Sequence, residues 1–192
     1  MMGAGYLAQP AVFLVKVIFG LYATLVVLRF LLQLTRADFY NPLSQFIVKA
    51  TKPLLNPLRR LIPGVSGIDV ASLVLAWFVL ALEQTAILAL AGAGLQIAGG
   101  ALLAIPELIT LFINIFLFAI LIQVIISWVN PGSYNPAIGL IHRLTEPLLS
   151  PVRGRLPNMG GLDLSPMVVM LGLVLLEMLM IPPIKDLIGQ LL

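Results

Sequence analysis

Four apolar runs, each long enough to cross a bilayer, limit this chain more than anything else in it: Ala11 to Leu34, Asp69 to about Ala91, Glu107 to Val129, and Asp163 to Ile181. A run of at least ~18 apolar residues reads as a membrane span. Only 10% of the residues are charged, and the mean hydropathy is +1.09. These values belong to a membrane protein and exclude a soluble globular domain. The opening MMGAGYLAQP has no basic segment, and the run behind it is too long for a cleaved signal and carries Lys16 and Arg29. It is therefore expected to be a retained first span.

The side chains also narrow the chemistry. There is no cysteine, which removes disulfides, thiolate metal sites and cysteine nucleophiles. His142 is the single histidine, so no metal or other cofactor is expected. Neither a Walker loop nor the HExxH or GxSxG pattern is present, and Asp69 and Asp163 stand at the edges of spans. A non-catalytic protein is the expectation.

Cation placement orients the chain. Arg36, Lys49, Lys52, Arg59 and Arg60 lie between the first and second runs, and Arg143, Arg153 and Arg155 between the third and fourth. By the positive-inside rule both basic loops face the cytoplasm and both termini face outward, with Lys185 as the contrary charge. The apolar stretch 84–105 is a candidate fifth span, but it would put the two basic loops on opposite sides. It is expected instead to extend the neighbouring spans around a glycine-rich turn. Gly92, Gly94, Gly99 and Gly100 suit such a turn, close helix packing or oligomerisation.

The chain also reads as a duplication. TKPLLNPLRRLIPG at 51–64 and TEPLLSPVRGRLPN at 145–158 agree at seven of fourteen positions, 94 residues apart. The same offset aligns Tyr40, Asn41 and Pro42 with Tyr134, Asn135 and Pro136, Gly67 with Gly161, Asp69 with Asp163, and Glu83 with Glu177. Residues 1–98 and 99–192 are thus expected to form two repeats, each a span, a basic segment and a span. Repeats in the same orientation imply an axis along the membrane normal.

Each basic segment has local signals. Asn41-Pro42 and Asn135-Pro136 offer an N-cap followed by proline at the first helical position. Leu43, Phe46, Ile47, Ala50 and Leu54, and in the second copy Ala137, Leu140, Ile141, Leu144 and Leu148, form an apolar stripe with Lys49, Lys52, His142 and Arg143 off it. An amphipathic helix in the membrane interface is expected. Pro53 and Pro147 should end or kink it. Pro57 and Pro151 then start a second short helix carrying Arg59 and Arg60, or Arg153 and Arg155, closed by Pro63 or Pro157. Asp69 and Asp163 are expected to cap the returning spans.

The pattern NP...TKPLLNPLRRLIP...GIDVASLV...E, repeated as NP...TEPLLSPVRGRLP...GLDLSPMV...E, resembles the YggT family of small bacterial membrane proteins, related to the YlmG proteins of cyanobacteria and plastids. The resemblance covers essentially the whole chain. It implies a multi-pass protein of the bacterial inner membrane, and associations with osmotic or cation stress, cell division and, in plastids, nucleoid distribution and cytochrome-complex assembly. It carries over no catalytic residue.

An ionisable side chain within a span costs roughly 2.5–3.5 kcal/mol on insertion scales. Glu83 and Glu177 each lie about 21 Å beyond their capping Asp, nearer the outer face. Lys16 is level with Glu83 on the reversed first span, so a Lys16–Glu83 ion pair is expected. Thr110 occupies the corresponding position of the second unit, leaving Glu177 to Thr110, Asn114 or a protonated state. These carboxyls tie helices together or sit near the outer headgroups with water access, or else form a cation or proton site about the pseudo-two-fold axis, with Asn114 and Gln123 along the path. Arg29 is expected to snorkel to the interface as an anchor. The loop cations fit anionic lipid headgroups first, then a membrane-protein partner or a second copy. The patches are short and lack interleaved aromatics, so nucleic acid is not expected. Pro182-Pro183 should end the last span.

The sequence reading is therefore an all-α integral membrane protein of four transmembrane helices in two parallel repeats. The leading function is a membrane scaffold or assembly factor acting through the basic helices. The alternative is a small cation or proton conductor centred on Glu83 and Glu177.

Overall fold

The computed structural model describes residues 3–65, 67–129, 135–156 and 163–192, with side chains from residue 8 onward. Pro157, Tyr134 and Gly161, named above, lie outside the described residues. The chain forms six helices: α1 (Gly3–Leu34), α2 (Pro42–Leu61), α3 (Val70–Leu90), α4 (Ile97–Val129), α5 (Pro136–Arg153) and α6 (Ser165–Leu191). Four of them, α1, α3, α4 and α6, are long and apolar enough to cross a membrane. No fifth such helix arises at 84–105, because α3 stops at Leu90 and α4 begins at Ile97. Gly92 and Gly94 between them adopt positive φ, which a side chain would strain.

The spans stand in the packing order α1, α3, α4, α6. Ala23, Val26 and Val27 of α1 meet Leu75, Ala76 and Val79 of α3, while Ala104, Ile115 and Ala119 of α4 close the other side. Lipid removes the hydrophobic drive between spans, so close approach of small residues carries much of the packing. The α3–α4 contact shows it: a Cβ on Gly100 would stand 2.0 Å from Thr85 Oγ1 and 2.8 Å from the Ala81 carbonyl. Trp77 Nε1 donates to the Ala101 carbonyl at 3.0 Å across the same seam. Gly99 and Gly100 are thus helical packing residues, while Gly92 and Gly94 make the turn.

The proline expectations need correction at three places. Helix α2 runs unbroken through Pro53 and Pro57, and α5 through Pro147 and Pro151. Each proline removes one backbone donor, but all four side chains lie on an exposed side. On the opposite side Thr51 and Leu55, or Thr145 and Leu149, are buried and fasten the helix before and after the interruption. Helix α6 likewise passes Pro182-Pro183. The carbonyls those prolines leave free belong to the outward-facing Met178 and Leu179, while Ile181 and Ile188 remain buried and hold the last turns in place.

Candidate functional site: the elbows and the charges within the spans

The two elbow helices begin alike. Asn41 Oδ1 accepts from the Leu43 N–H at 2.9 Å and Asn135 Oδ1 from the Ala137 N–H at 2.9 Å, each with proline next in the chain. Both elbows are then tied to the start of the following span. Arg59 pairs with Asp69 and also donates to Gln33 Oε1 of α1 at 3.0 Å. Arg153 pairs with Asp163 at 2.9 Å and Glu146 at 3.1 Å.

Asp69 stands at the N-cap position of α3 as expected, whereas Asp163 lies one residue before the N-cap of α6, Leu164. The Asp69 side chain accepts no cap hydrogen bond from a helix N–H. The acids instead receive side-chain donors, Ser72 for Asp69 and Ser165 for Asp163, and Asp163 Oδ1 also accepts from the Ser165 N–H at 2.9 Å. Burial acts to raise the Asp69 carboxyl, but the Arg59 and Ser72 hydrogen bonds and the guanidinium charge hold it below the ordinary carboxylate value. At Asp163 burial again opposes, and the Ser165 and Arg153 hydrogen bonds bring the carboxyl down.

A second tie joins each elbow to the span before it. Arg29, expected as a snorkelling anchor, is 6% exposed. Its Nη1 donates to the Val48 carbonyl at 3.0 Å and to Thr51 Oγ1 at 2.8 Å. Those partners lie about twenty residues on, so only the tertiary fold makes the arginine a bolt. At positions 94 residues later, Gln123 takes the place of Arg29 and bonds Thr145.

These ties decide which cations are available. Arg59 and Arg153 are engaged internally, and Arg143 donates to the Arg36 carbonyl at 3.1 Å. Lys49, Lys52, Arg60 and Arg155 are exposed and form no salt bridge among the described residues. The apolar stripes also differ from expectation. In α2 the buried face is Ser44, Ile47, Thr51 and Leu55, while Leu43, Phe46 and Leu54 are 49%, 59% and 51% exposed. In α5 the stripe residues Leu140 and Leu144 are buried, Leu140 against Leu32, Ala37 and Ile47.

Within the spans, the structure separates groups expected together. Glu83 is buried and Lys16 exposed, and no ion pair joins them. Glu177 is half-buried, and Thr110, Asn114 and Glu177 make no side-chain hydrogen bond among the described residues. Asn114 instead borders an apolar groove of about 720 Å³ between α1, α4 and α5. Nor do the two carboxyls share a level. Gly100 packs beside Ala81 and Thr85, which flank Glu83, whereas Lys185, eight residues beyond Glu177, pairs with Glu107 at 3.0 Å. At ~1.5 Å per residue, Glu83 and Glu177 are about 20 Å apart along the spans. The Glu107–Lys185 pair was not anticipated. Its members have no charged counterparts 94 residues away, Phe13 and Ala91 standing there, so the duplication gave no signal for them.

The CCB3/YggT family model matches residues 8–90 and 102–184. The chain belongs to the CCB3/YggT family. An uncharacterized protein of Pseudomonas aeruginosa is 52% identical over 189 residues, covering 96% of this chain and 94% of its own length. An uncharacterized Vibrio alginolyticus protein, encoded in the proC 3′ region, is 41% identical over 92% of this chain and 94% of its own length. The uncharacterized protein YggT of Escherichia coli is 40% identical over 86% of each chain. No solved structure matches. Family membership and four span-length apolar helices together identify a membrane protein.

Proposed function

We propose that the protein is a non-catalytic scaffold or assembly factor of the bacterial inner membrane, and that α2 is its docking helix. One observation carries this reading: α2 is fastened along one side and open along two others. Its fastened side holds Ser44, Thr51 and Leu55 against the spans. Lys49, Lys52 and Arg60 line a second side, and exposed Leu43, Phe46 and Leu54 a third. A helix so arranged lies in the interface with its apolar side in the acyl region and its cations toward anionic headgroups or an acidic partner surface.

The duplication in the sequence supports the same account. The two ranges matched by the family are themselves offset by 94 residues, 8 to 102 and 90 to 184. The Arg59–Asp69 and Arg153–Asp163 pairs recur at that offset. Both elbows then face the cytoplasm and both termini the outside. Conduction through Glu83 and Glu177 is the weaker reading, because about 20 Å separates their levels. The test is affinity purification of the full chain from its native membrane. A defined partner retained by Arg155→Gln and lost by the Lys49→Gln, Lys52→Gln, Arg60→Gln variant supports docking through α2; an unchanged partner set refutes it.

A further inference from the structure

Asn114 stands where a side-chain amide is costly. Toward the elbow, α4 reaches Gln123, which bonds Thr145, nine residues or about 14 Å on. In the other direction it reaches Glu107, which pairs with Lys185, seven residues or about 10 Å back. Asn114 therefore lies between the two polar ends of its span, within the hydrocarbon layer. It is exposed, and its amide hydrogen-bonds no other group among the described residues. The bilayer core offers no water to take that place, so the amide calls for a protein partner.

Asn114 also heads a continuous face of α4. Phe118, Leu121, Ile125 and Trp128 follow it at steps of four, three, four and three, and all of them are exposed. That spacing makes the seam of two supercoiled helices, and one asparagine in an otherwise apolar seam fixes register and favours a pair. Any span that faces lipid shows a row of exposed apolar residues; the amide within the row is what lipid does not explain. Asn114, Phe118 and Leu121 border the groove of about 720 Å³, and Thr24 and Leu28 of α1 form its other wall. Thr24 does not serve Asn114, because its hydroxyl donates to the Gly20 carbonyl at 2.7 Å. With a helix measuring about 10–12 Å across, the groove has room for bulky side chains of a neighbour and not for a whole span.

We infer that this face of α4 is the contact between two copies of the chain, in which Asn114 hydrogen-bonds the partner's Asn114 and each Phe118 enters the groove of the other copy. A primary amide carries both donors and an acceptor, so it is its own complement. Copies inserted the same way round are related by a two-fold axis along the membrane normal, which sets their α4 helices parallel and brings identical residues together. A different protein must bring a matching polar group to that depth; a second copy does so by symmetry. The inference is independent of docking, which uses α2 at the interface and not α4 within the bilayer.

The chain has no cysteine, so single cysteines report contacts without background. In phosphatidylethanolamine and phosphatidylglycerol vesicles at low protein density, Phe118→Cys and Leu121→Cys are expected to give disulfide-linked dimers on mild oxidation. Met178→Cys, at an equally exposed site on α6, should give few. Energy transfer between labelled copies, followed on dilution with lipid, measures the affinity without a crosslink. Asn114→Leu should weaken it about tenfold, as the loss of two hydrogen bonds between spans implies, and Asn114→Gln should keep most of it. Monomers at every dilution overturn the contact, as do dimers from Met178→Cys as abundant as from Phe118→Cys. An unchanged affinity in Asn114→Leu, or a crosslink from position 118 in native membranes that goes only to another protein, overturns it equally.

Discussion

The first and second elbows have related sequences and different surroundings. Leu140 and Leu144 of α5 are covered by the first half of the protein, whereas Phe46 and Leu54 of α2, the first of them 94 residues before Leu140, are more than half exposed. The ionic ties differ in the opposite sense. Asp69 is 4% exposed beside Arg59, while Asp163 is 42% exposed beside Arg153. The first elbow is thus firmly bolted and open outward, and the second is loosely tied and packed over. Where two copies of one segment coexist, firm anchorage plus an uncovered face marks the copy available to a partner.

The sharpest way to break this contrast is to remove the bolts in turn. Arg59→Gln leaves the Asp69 carboxylate buried without its guanidinium and is expected to destabilise by about 3 kcal/mol. Arg153→Gln, at an exposed pair, should cost at most about 1 kcal/mol. Thermal or denaturant unfolding in detergent measures both, and equal losses would erase the distinction. Gly100→Ala tests the seam between the halves. Overpacking against Thr85 should cost about 1–3 kcal/mol, whereas Gly20→Ala, with 3.9 Å to its nearest side-chain atom, should be tolerated.

A finer comparison sets Arg29 against Gln123. Arg29→Gln removes charge-assisted bonds to α2 and is expected to cost about 1.5–3 kcal/mol; Gln123→Ala removes a neutral one, worth about 0.5–1.5 kcal/mol. Hydrogen exchange of α2 and α5 amides would report each loss locally, and greater loosening of α5 than α2 would reverse the ranking. The smallest effect is that of pH. The folded Asp69 carboxyl lies below its unfolded value of about 3.9. Its stabilisation is therefore full above about pH 4 and fades as pH falls through the lower folded value. The gap in stability between the wild type and Asp69→Asn should accordingly narrow in acid, and a gap that widens there would contradict the assignment.

Helix existence was legible because apolar length and the Asn-Pro signals are local. The prolines misled for a physical reason: a missing donor breaks a helix only if nothing beyond it holds the next turn, and Leu55, Leu149 and Ile188 do hold it. Arg29 was misplaced because Val48 and Thr51 become its partners only once α2 folds back on α1. The pairing of Glu107 with Lys185 was not legible because the two lie 78 residues apart and have no charged counterparts in the first repeat, where Phe13 and Ala91 stand.

Site-specific photo-crosslinking in native membranes, with the probe at position 46 or at position 140, tests the docking account most directly. The account predicts one discrete protein adduct from position 46, lost in the Lys49→Gln, Lys52→Gln, Arg60→Gln variant, and only intramolecular products from position 140. Lipid adducts alone from position 46, or the same protein adduct from both positions, would contradict it.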